Sequence, residues 1–291
     1  MGTEAEDRER QFAGEFSFDF SELERVNRPP RLPSPEFRAL LEEAKSEPDD
    51  DLPRQVLADW LQDHDDPRGE FLFTQLRRAR LADDDSEQDG LAKRERQLLG
   101  EHALTWLGPL ADLASGWAFR RGFVVLQARA ERLLTGGVVE DLAPRGGLIW
   151  VEELLLQEVR LPHLDRLANS PILDGLTCLD LGYNRFGDAG LERLGRSDRL
   201  IALRELRLAG NRITSTGARN LAEWSQLEGL FRLDLSHNRI DDAGALALAR
   251  SEHLDELTGL DLRDNRITRE GVAALQSRFG DGVRLGRGGT G

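Results

Sequence analysis

The second half of the chain carries a strict alternation of leucines and polar residues. It reads LTCLDLGYNRF from Leu176 to Phe186, then LRELRLAGNRI (Leu203 to Ile213), LFRLDLSHNRI (Leu230 to Ile240) and LTGLDLRDNRI (Leu257 to Ile267). Asn184, Asn211, Asn238 and Asn265 stand 27 residues apart. Gly190, Gly217, Gly244 and Gly271 fall six residues after each Asn, and Leu194, Leu221, Leu248 and Leu275 fall ten after it. Leu-x-Leu alternation predicts a strand with one buried side. The Gly-x-x-x-Leu stretch predicts a helix that turns Leu191 and Leu194 inward. Each Asn stands where the chain leaves the strand, and its amide can bond the backbone of neighbouring turns. One such unit cannot bury its own leucines, so the units must stack.

The same frame weakens on either side. VEELLLQEVRL (Val151 to Leu161) keeps Val151, Leu154, Leu156 and Leu161 but has Val159 in place of Asn. It reads as a fifth, degenerate unit. Phe123, Val125 and a helical stretch through Leu133 and Leu134 suggest a further irregular turn. Val283 and Leu285 offer a last short strand that caps the final apolar face.

The first third has helical periodicity instead. Ser34-Pro35-Glu36 is a helix start, with an N-cap, proline at N1 and an acid in the first turn. Phe37, Leu40, Leu41 and Ala44 form the apolar stripe. A second helix carries Val56, Leu57, Trp60 and Leu61. Asp66-Pro67 opens a third with Phe71, Leu72 and Leu76. DDDSEQDG (Asp83 to Gly90) reads as a loop before a fourth helical stretch to about Leu104. Residues 1–33 are polar and acidic and read as a flexible tail, as does GRGGTG at 286–291.

The repeated frame resembles leucine-rich repeats, L-x-x-L-x-L-x-x-N-x-L, and the 27-residue period with its helical half is similar to the ribonuclease-inhibitor type. That resemblance implies a curved α/β solenoid, with parallel strands on the concave face and helices on the convex face. FRALLEEAKSEPDDDLPRQVLADWLQDHDDPRGEFLFTQL resembles the repeat-companion domain, a short helical module found beside repeats in bacteria with large genomes. ADWLQDHDDPRGEF is the most specific part of that match. The resemblance runs from about residue 35 to 80 and implies no activity for any residue. GWAFRRGF (Gly116 to Phe123) is similar to the junction that often follows it. The expected division is an acidic tail (1–33), a small all-α domain (34–105), a junction and N-terminal cap (106–150), the repeat solenoid with its C-terminal cap (151–285) and a short tail (286–291).

Composition narrows the function classes. Net charge is −14, which argues against nucleic acid or an anionic membrane as the main partner. No run of 18 apolar residues exists, so no spanning helix is expected. The acidic start has no apolar core, so it does not read as a secretory signal, and a cytoplasmic location follows as the expectation. The single cysteine, Cys178, leaves no disulfide framework and no Cys-based zinc site. His64, His102, His163, His237 and His253 show no metal-binding spacing, and no nucleophile is spaced with a base. Asp49, Asp50, Asp51, Asp59, Asp63, Asp65, Asp66 and Glu70 crowd one stretch, but neither Asp63 nor Asp83 starts a Ca²⁺ loop of the required pattern. They read as helix caps and solvated acids, with Asp66 capping and Asp50 or Asp51 preceding Pro53. GRGGTG matches a dinucleotide fingerprint in letters only, since no helix follows it. Trp60 and Trp117 read as core and junction. Trp224, in a helical half-repeat, reads as partly exposed on the convex side.

The repeat surface is the remaining candidate. Residues between the strand leucines should point to the concave face and align in columns about 4.8 Å apart. The columns are Glu153, Cys178, Glu205, Arg232, Gly259; Leu155, Asp180, Arg207, Asp234, Asp261; Gln157, Gly182, Ala209, Ser236, Arg263; and Glu158, Tyr183, Gly210, His237, Asp264. Tyr183, Arg207, Asp234, His237 and Arg263 are the candidate partner-binding residues. One column is invariant: Arg160, Arg185, Arg212, Arg239 and Arg266. At ~5 Å steps its neighbours would repel by roughly 0.8 kcal/mol each in water. Carboxylates beside them, such as Asp188, Asp241, Asp242 and Asp264, are expected to offset this; an acidic partner would be the other answer. Asn184, Asn211, Asn238 and Asn265 are assigned to a structural ladder. The expected function is non-catalytic protein recognition by a monomer, with no cofactor and no metal. A GTPase regulator, an enzyme-adaptor subunit or a Ca²⁺-responsive adaptor are the alternatives.

Overall fold

The computed structural model describes residues 34–47, 50–82 and 84–285. The two tails assigned from sequence, the GRGGTG segment, Asp49 and Asp83 lie outside them. The chain forms two compact units. Among the described residues, one comprises those up to 126 together with 141–152, the other 127–140 together with those from 153 onward.

The first unit is built on helices α1 (Pro35–Ser46), α2 (Leu52–Asp63), α3 (Pro67–Arg80), α4 (Gln88–Leu107) and the single turn α5 (Leu110–Leu113), followed by strand β1 (Ala114–Arg120). The caps are those expected from sequence. Ser34 accepts a hydrogen bond from the Phe37 N–H, and Asp66 accepts one from Arg68 N. Before α2 it is Asp50 that accepts from Leu52 N, at 2.9 Å. The core gathers Phe37, Leu41, Ala44, Leu57, Ala58, Leu61, Leu72, Leu76 and Phe123.

Two expectations fail in this unit. Val56 is 46% exposed, and the inward position on α2 is taken by Arg54. Arg54 donates to Glu152 Oε1 at 2.6 Å and to the Arg121 carbonyl at 3.2 Å, with its guanidinium 4.7 Å from the Phe123 ring centre. The aliphatic stem packs, a carboxylate, a carbonyl and a ring meet the head, and Nε stays buried without a hydrogen-bond partner among the described residues, so a charged residue replaces the apolar one. Lys45 is buried beside it and donates to the Val151 carbonyl at 2.7 Å. The second failure is the loop before α4, which closes three residues early: the helix starts at Gln88 and runs through Gly90. Gly90 has open space around it, and the helix bears its conformational cost of about 1 kcal/mol.

Strand β2 (Phe123–Arg129) belongs to both units, as does β3 (Val151–Gln157). Helices α6 (Ala130–Leu134) and α7 (Val138–Leu142) lie between them in the chain. The second unit then alternates helix and strand: α8 (Leu161–Asn169), β4 (Cys178–Asp180), α9 (Gly187–Leu194), β5 (Glu205–Arg207), α10 (Ser215–Ala222), β6 (Arg232–Asp234), α11 (Asp242–Ala249), β7 (Gly259–Asp261), α12 (Arg269–Phe279) and β8 (Val283–Arg284). Strands β3 to β8 pair in parallel in chain order. The terminal strand therefore forms at Val283, one residue short of Leu285.

In the second unit the recurring strand and helix leucines are buried. Leu154, Leu179, Leu206, Leu233 and Leu260 are at most 1% exposed, and Leu191, Leu194, Leu221, Leu248 and Leu275 are fully buried. The recurring glycine lets successive helices approach. A Cβ on Gly244 would lie 2.6 Å from an Ile240 methyl and 3.0 Å from the Ser215 backbone. Trp224 departs from expectation: it is 7% exposed. The space beside Gly195, where a Cβ would meet the indole at 2.5 Å, accommodates it.

Candidate binding surfaces

The strand register aligns the columns read from sequence. Glu153, Cys178, Glu205, Arg232 and Gly259 pair in succession, as do Leu155, Asp180, Arg207, Asp234 and Asp261. Beneath them lies an asparagine ladder. Each Nδ2 donates to carbonyls of its own and the preceding turn: Asn211 to Leu181 at 2.8 Å, Leu208 at 3.2 Å and Ala209 at 3.3 Å. Each Oδ1 accepts from the preceding turn: from Val159 N for Asn184, Asn184 N for Asn211, Asn211 N and Ile213 N for Asn238, and Ile240 N for Asn265.

The columns differ in access, which the alternation alone did not reveal. Cys178, Asp180, Ala209 and Ser236 are buried, although they stand at outward positions. Arg207 covers part of this floor. It donates to Glu205 at 2.6 Å and lies 3.8 Å from both Glu153 and Asp180. Burial works against its charge, but the carboxylates of Glu205 and Asp180 beside it raise its pKa on balance. Burial also pushes the Cys178 thiol well above its usual range; Arg207 opposes this, while Glu153, Glu205 and Asp180 add to it. The thiol therefore stays protonated and unreactive at neutral pH. Arg207 is thus part of the structure of the face as much as its display.

Tyr183 and His237 are held differently. The residue before each ladder Asn, and before Val159 in its place, has a left-handed backbone: φ is 56° at Glu158, 62° at Tyr183, 66° at Gly210, 54° at His237 and 56° at Asp264. For a side chain as large as Tyr this conformation costs about 1–2 kcal/mol, imposed by the bonds of the ladder on either side. Gly210 is the exception in the column for a steric reason. A Cβ there would fall 2.5 Å from Tyr183 Cδ1. Tyr183 lies across Gly210 toward His237, with ring centres 6.3 Å apart. His237 is 3.3 Å from Asp264, and Arg263 bonds Asp261 at 2.7 Å. Asp234 accepts from Ser236 N at 2.9 Å and from its hydroxyl at 2.7 Å. Of the five candidates, Tyr183, His237 and Arg263 are exposed; Arg207 and Asp234 are half-buried.

The invariant arginines run along the edge of this face, all five exposed. Their expected carboxylate partners are committed elsewhere. Asp188 accepts from Thr214 N at 2.8 Å and its hydroxyl at 2.5 Å. Asp241 caps α11 through Ala243 N at 2.9 Å and bonds the Ser215 hydroxyl, which lowers its pKa. Asp242 accepts from Thr268 N at 2.7 Å and from its hydroxyl at 2.6 Å. Asp264 faces His237. Among the described residues none of the five guanidiniums has an ion pair within 4.0 Å, so the expected internal neutralisation is corrected.

In the first unit the acids are spent on structure: Asp66 caps α3, Glu70 binds Arg94 with both oxygens at 2.6 Å, and Asp51 pairs with Arg80 at 3.0 Å. The described residues contain no cluster of three or more metal-ligating side chains and no helix long and apolar enough to cross a membrane.

Residues 176–195, 202–222, 230–249 and 257–275 match the family described as leucine-rich repeat. These four segments resemble leucine-rich repeats. They coincide with strands β4 to β7 and the helices that follow each. No curated protein matches the chain. Among solved structures, an internalin from Listeria monocytogenes is similar at 19% identity and a TM-score of 0.27. That match covers 48% of this chain and 34% of the internalin, so the chain spans about a third of the other protein's length. The repeat before Cys178 lies outside the matched segments, yet β3 pairs in register with β4 and Val159 N donates to Asn184 at 2.8 Å. Stacking needs the backbone frame and its leucines, so Val159 can stand where an Asn would.

Proposed function

We propose that the chain is a non-catalytic recognition module, of ribonuclease-inhibitor type in a bacterial protein, which binds a protein partner across its strand face. The observation that carries this reading is the Tyr183–His237 shelf. Two aromatic side chains are held on left-handed backbone, 6.3 Å apart, above a glycine that leaves them room. Strain of this kind persists only where the surroundings over-determine it, and it clusters where side chains are displayed for a task. Large, stiff side chains of these types contribute much interface energy at small entropic cost. Arg263 at one side and the half-buried Arg207 and Asp234 complete the surface. The stacked repeats form a rigid platform, which keeps the ordering cost of association low.

The test uses a partner recovered from the native host with the full chain as bait. Tyr183→Ala combined with His237→Ala should weaken binding by roughly 2 kcal/mol, about thirtyfold. The melting temperature should not fall, since neither side chain supports the core. Unchanged affinity for every recovered partner would overturn the reading.

A further inference from the structure

We infer that the edge formed by Arg160, Arg185, Arg212, Arg239 and Arg266 is a docking rail for an extended acidic peptide segment. It is a second surface, beyond the reading of the strand face. Three observations support it. The five guanidiniums are exposed and, among the described residues, none is held by a carboxylate; Asp188, Asp241, Asp242 and Asp264 are engaged by hydroxyls, amides and His237. The backbone beneath the row is fixed from repeat to repeat. Arg239 N donates to the Ile213 carbonyl at 2.8 Å, and Arg266 N to that of Ile240 at 2.7 Å. The row is therefore a rigid line of like charge at parallel-strand spacing, four steps of ~5 Å or about 20 Å in all. An extended chain covers that length with about six residues.

Charge complementarity selects an anion with several groups along a line, and two features favour a peptide over a nucleic acid. The footprint is short, with no aromatic residue in the row on which bases could stack. The chain as a whole carries −14, which repels a long polyanion but tolerates a short acidic segment that meets only the row. Guanidinium forks suit carboxylates in pairs.

Fluorescein-labelled hexaglutamate, titrated with the full-length protein and read by anisotropy, is the direct probe. Binding should be measurable at low salt and weaken steeply as salt rises. Arg185→Gln, Arg212→Gln and Arg239→Gln together should weaken it at least tenfold, while the protein melts no lower, because like-charge repulsion has been relieved. Arg250→Gln, which removes an exposed arginine from the helical side, should leave binding unchanged. Tyr183→Ala with His237→Ala should also leave it unchanged, so failure of the strand-face reading and failure of this one are separate results. Retained affinity in the triple variant would overturn the proposal. So would binding of hexalysine as tight as hexaglutamate, or tighter binding of a hexameric thymidine oligonucleotide.

Discussion

Removing Asn238 should damage the second unit more than removing any other ladder residue. Its side chain is 7% exposed and serves five backbone groups. The three carbonyls keep a donor when it is lost. Leu208 O retains Asn211 Nδ2 at 3.2 Å, Leu235 O retains Asn265 Nδ2 at 2.8 Å, and Ser236 O retains Gly210 N at 3.0 Å. The two N–H groups do not: Asn211 N at 3.0 Å and Ile213 N at 2.9 Å have Asn238 Oδ1 as their acceptor. Each orphaned buried donor costs about 1–3 kcal/mol, so Asn238→Ala should cost on the order of 2–6 kcal/mol. By the same reasoning Asn211→Ala orphans only Asn184 N and should cost about 1–3 kcal/mol. Asn265→Ala orphans Ile240 N near a half-exposed side chain; water can replace part of the loss, so it ranks last. Asn238→Asp keeps the acceptor but turns a carboxylate oxygen toward three carbonyls, and it should be nearly as harmful as Ala. Urea denaturation gives the ranking, and native-state hydrogen exchange at Ile213 locates it. Equal losses at Asn211 and Asn238, or a loss below about 0.5 kcal/mol at Asn238, would refute the donor argument.

Three further outcomes are expected. Arg207→Ala should destabilise the second unit by about 1–3 kcal/mol at pH 7, because Glu153, Asp180 and Glu205 then face one another without the guanidinium. Urea denaturation of the variant gives the loss; no loss counts against it. Lys45 is held at about 8, first by burial and then by Arg54, with Glu152 opposing. The unfolded chain keeps this amine protonated to about 10.5. Between those values the unfolded state binds more protons, so stability should rise with pH from about 8 upward. Denaturation at pH 7.5 and 9 should show this rise in the wild type and not in Lys45→Met; a rise of equal size in the variant would exclude Lys45 as its source. Gly69→Ala should cost at least about 2 kcal/mol by overpacking the α2–α3 contact, since a Cβ there falls 2.7 Å from the Ala58 carbonyl and from Gln62 N. Undiminished melting would show that the helices can part freely.

The period of the sequence determined much of the second unit because it is a register as well as a repeat. Once four Asn residues stand 27 apart, parallel stacking aligns every other position, and the columns follow without further information. The period could not show which columns are reached by solvent. That depends on side chains reaching across repeats: Arg207 over Asp180, Tyr183 over Gly210, Trp224 into the space beside Gly195. Each contact joins residues about one repeat apart, a distance at which residue-by-residue pattern gives no direction to a rotamer. The same gap explains Arg54 and Lys45. Their spacing on the helices marks inward positions, but chemistry alone assigns them to solvent, and only Glu152 and the Val151 carbonyl, some hundred residues on, make burial tolerable. The arginine column was plain in the sequence, and its neutralisation was the wrong inference for a related reason. Acids close in sequence are not thereby available: Thr214 and Thr268 of the next repeat engage Asp188 and Asp242, and Ser215 of the preceding repeat with Ala243 N engages Asp241. An N–H fixed by the fold offers a carboxylate a bond without the ordering cost of a flexible arginine. Cap formation therefore wins the acids, and the row is left as unneutralised charge on the surface, which is why a partner for it must be sought outside the repeats.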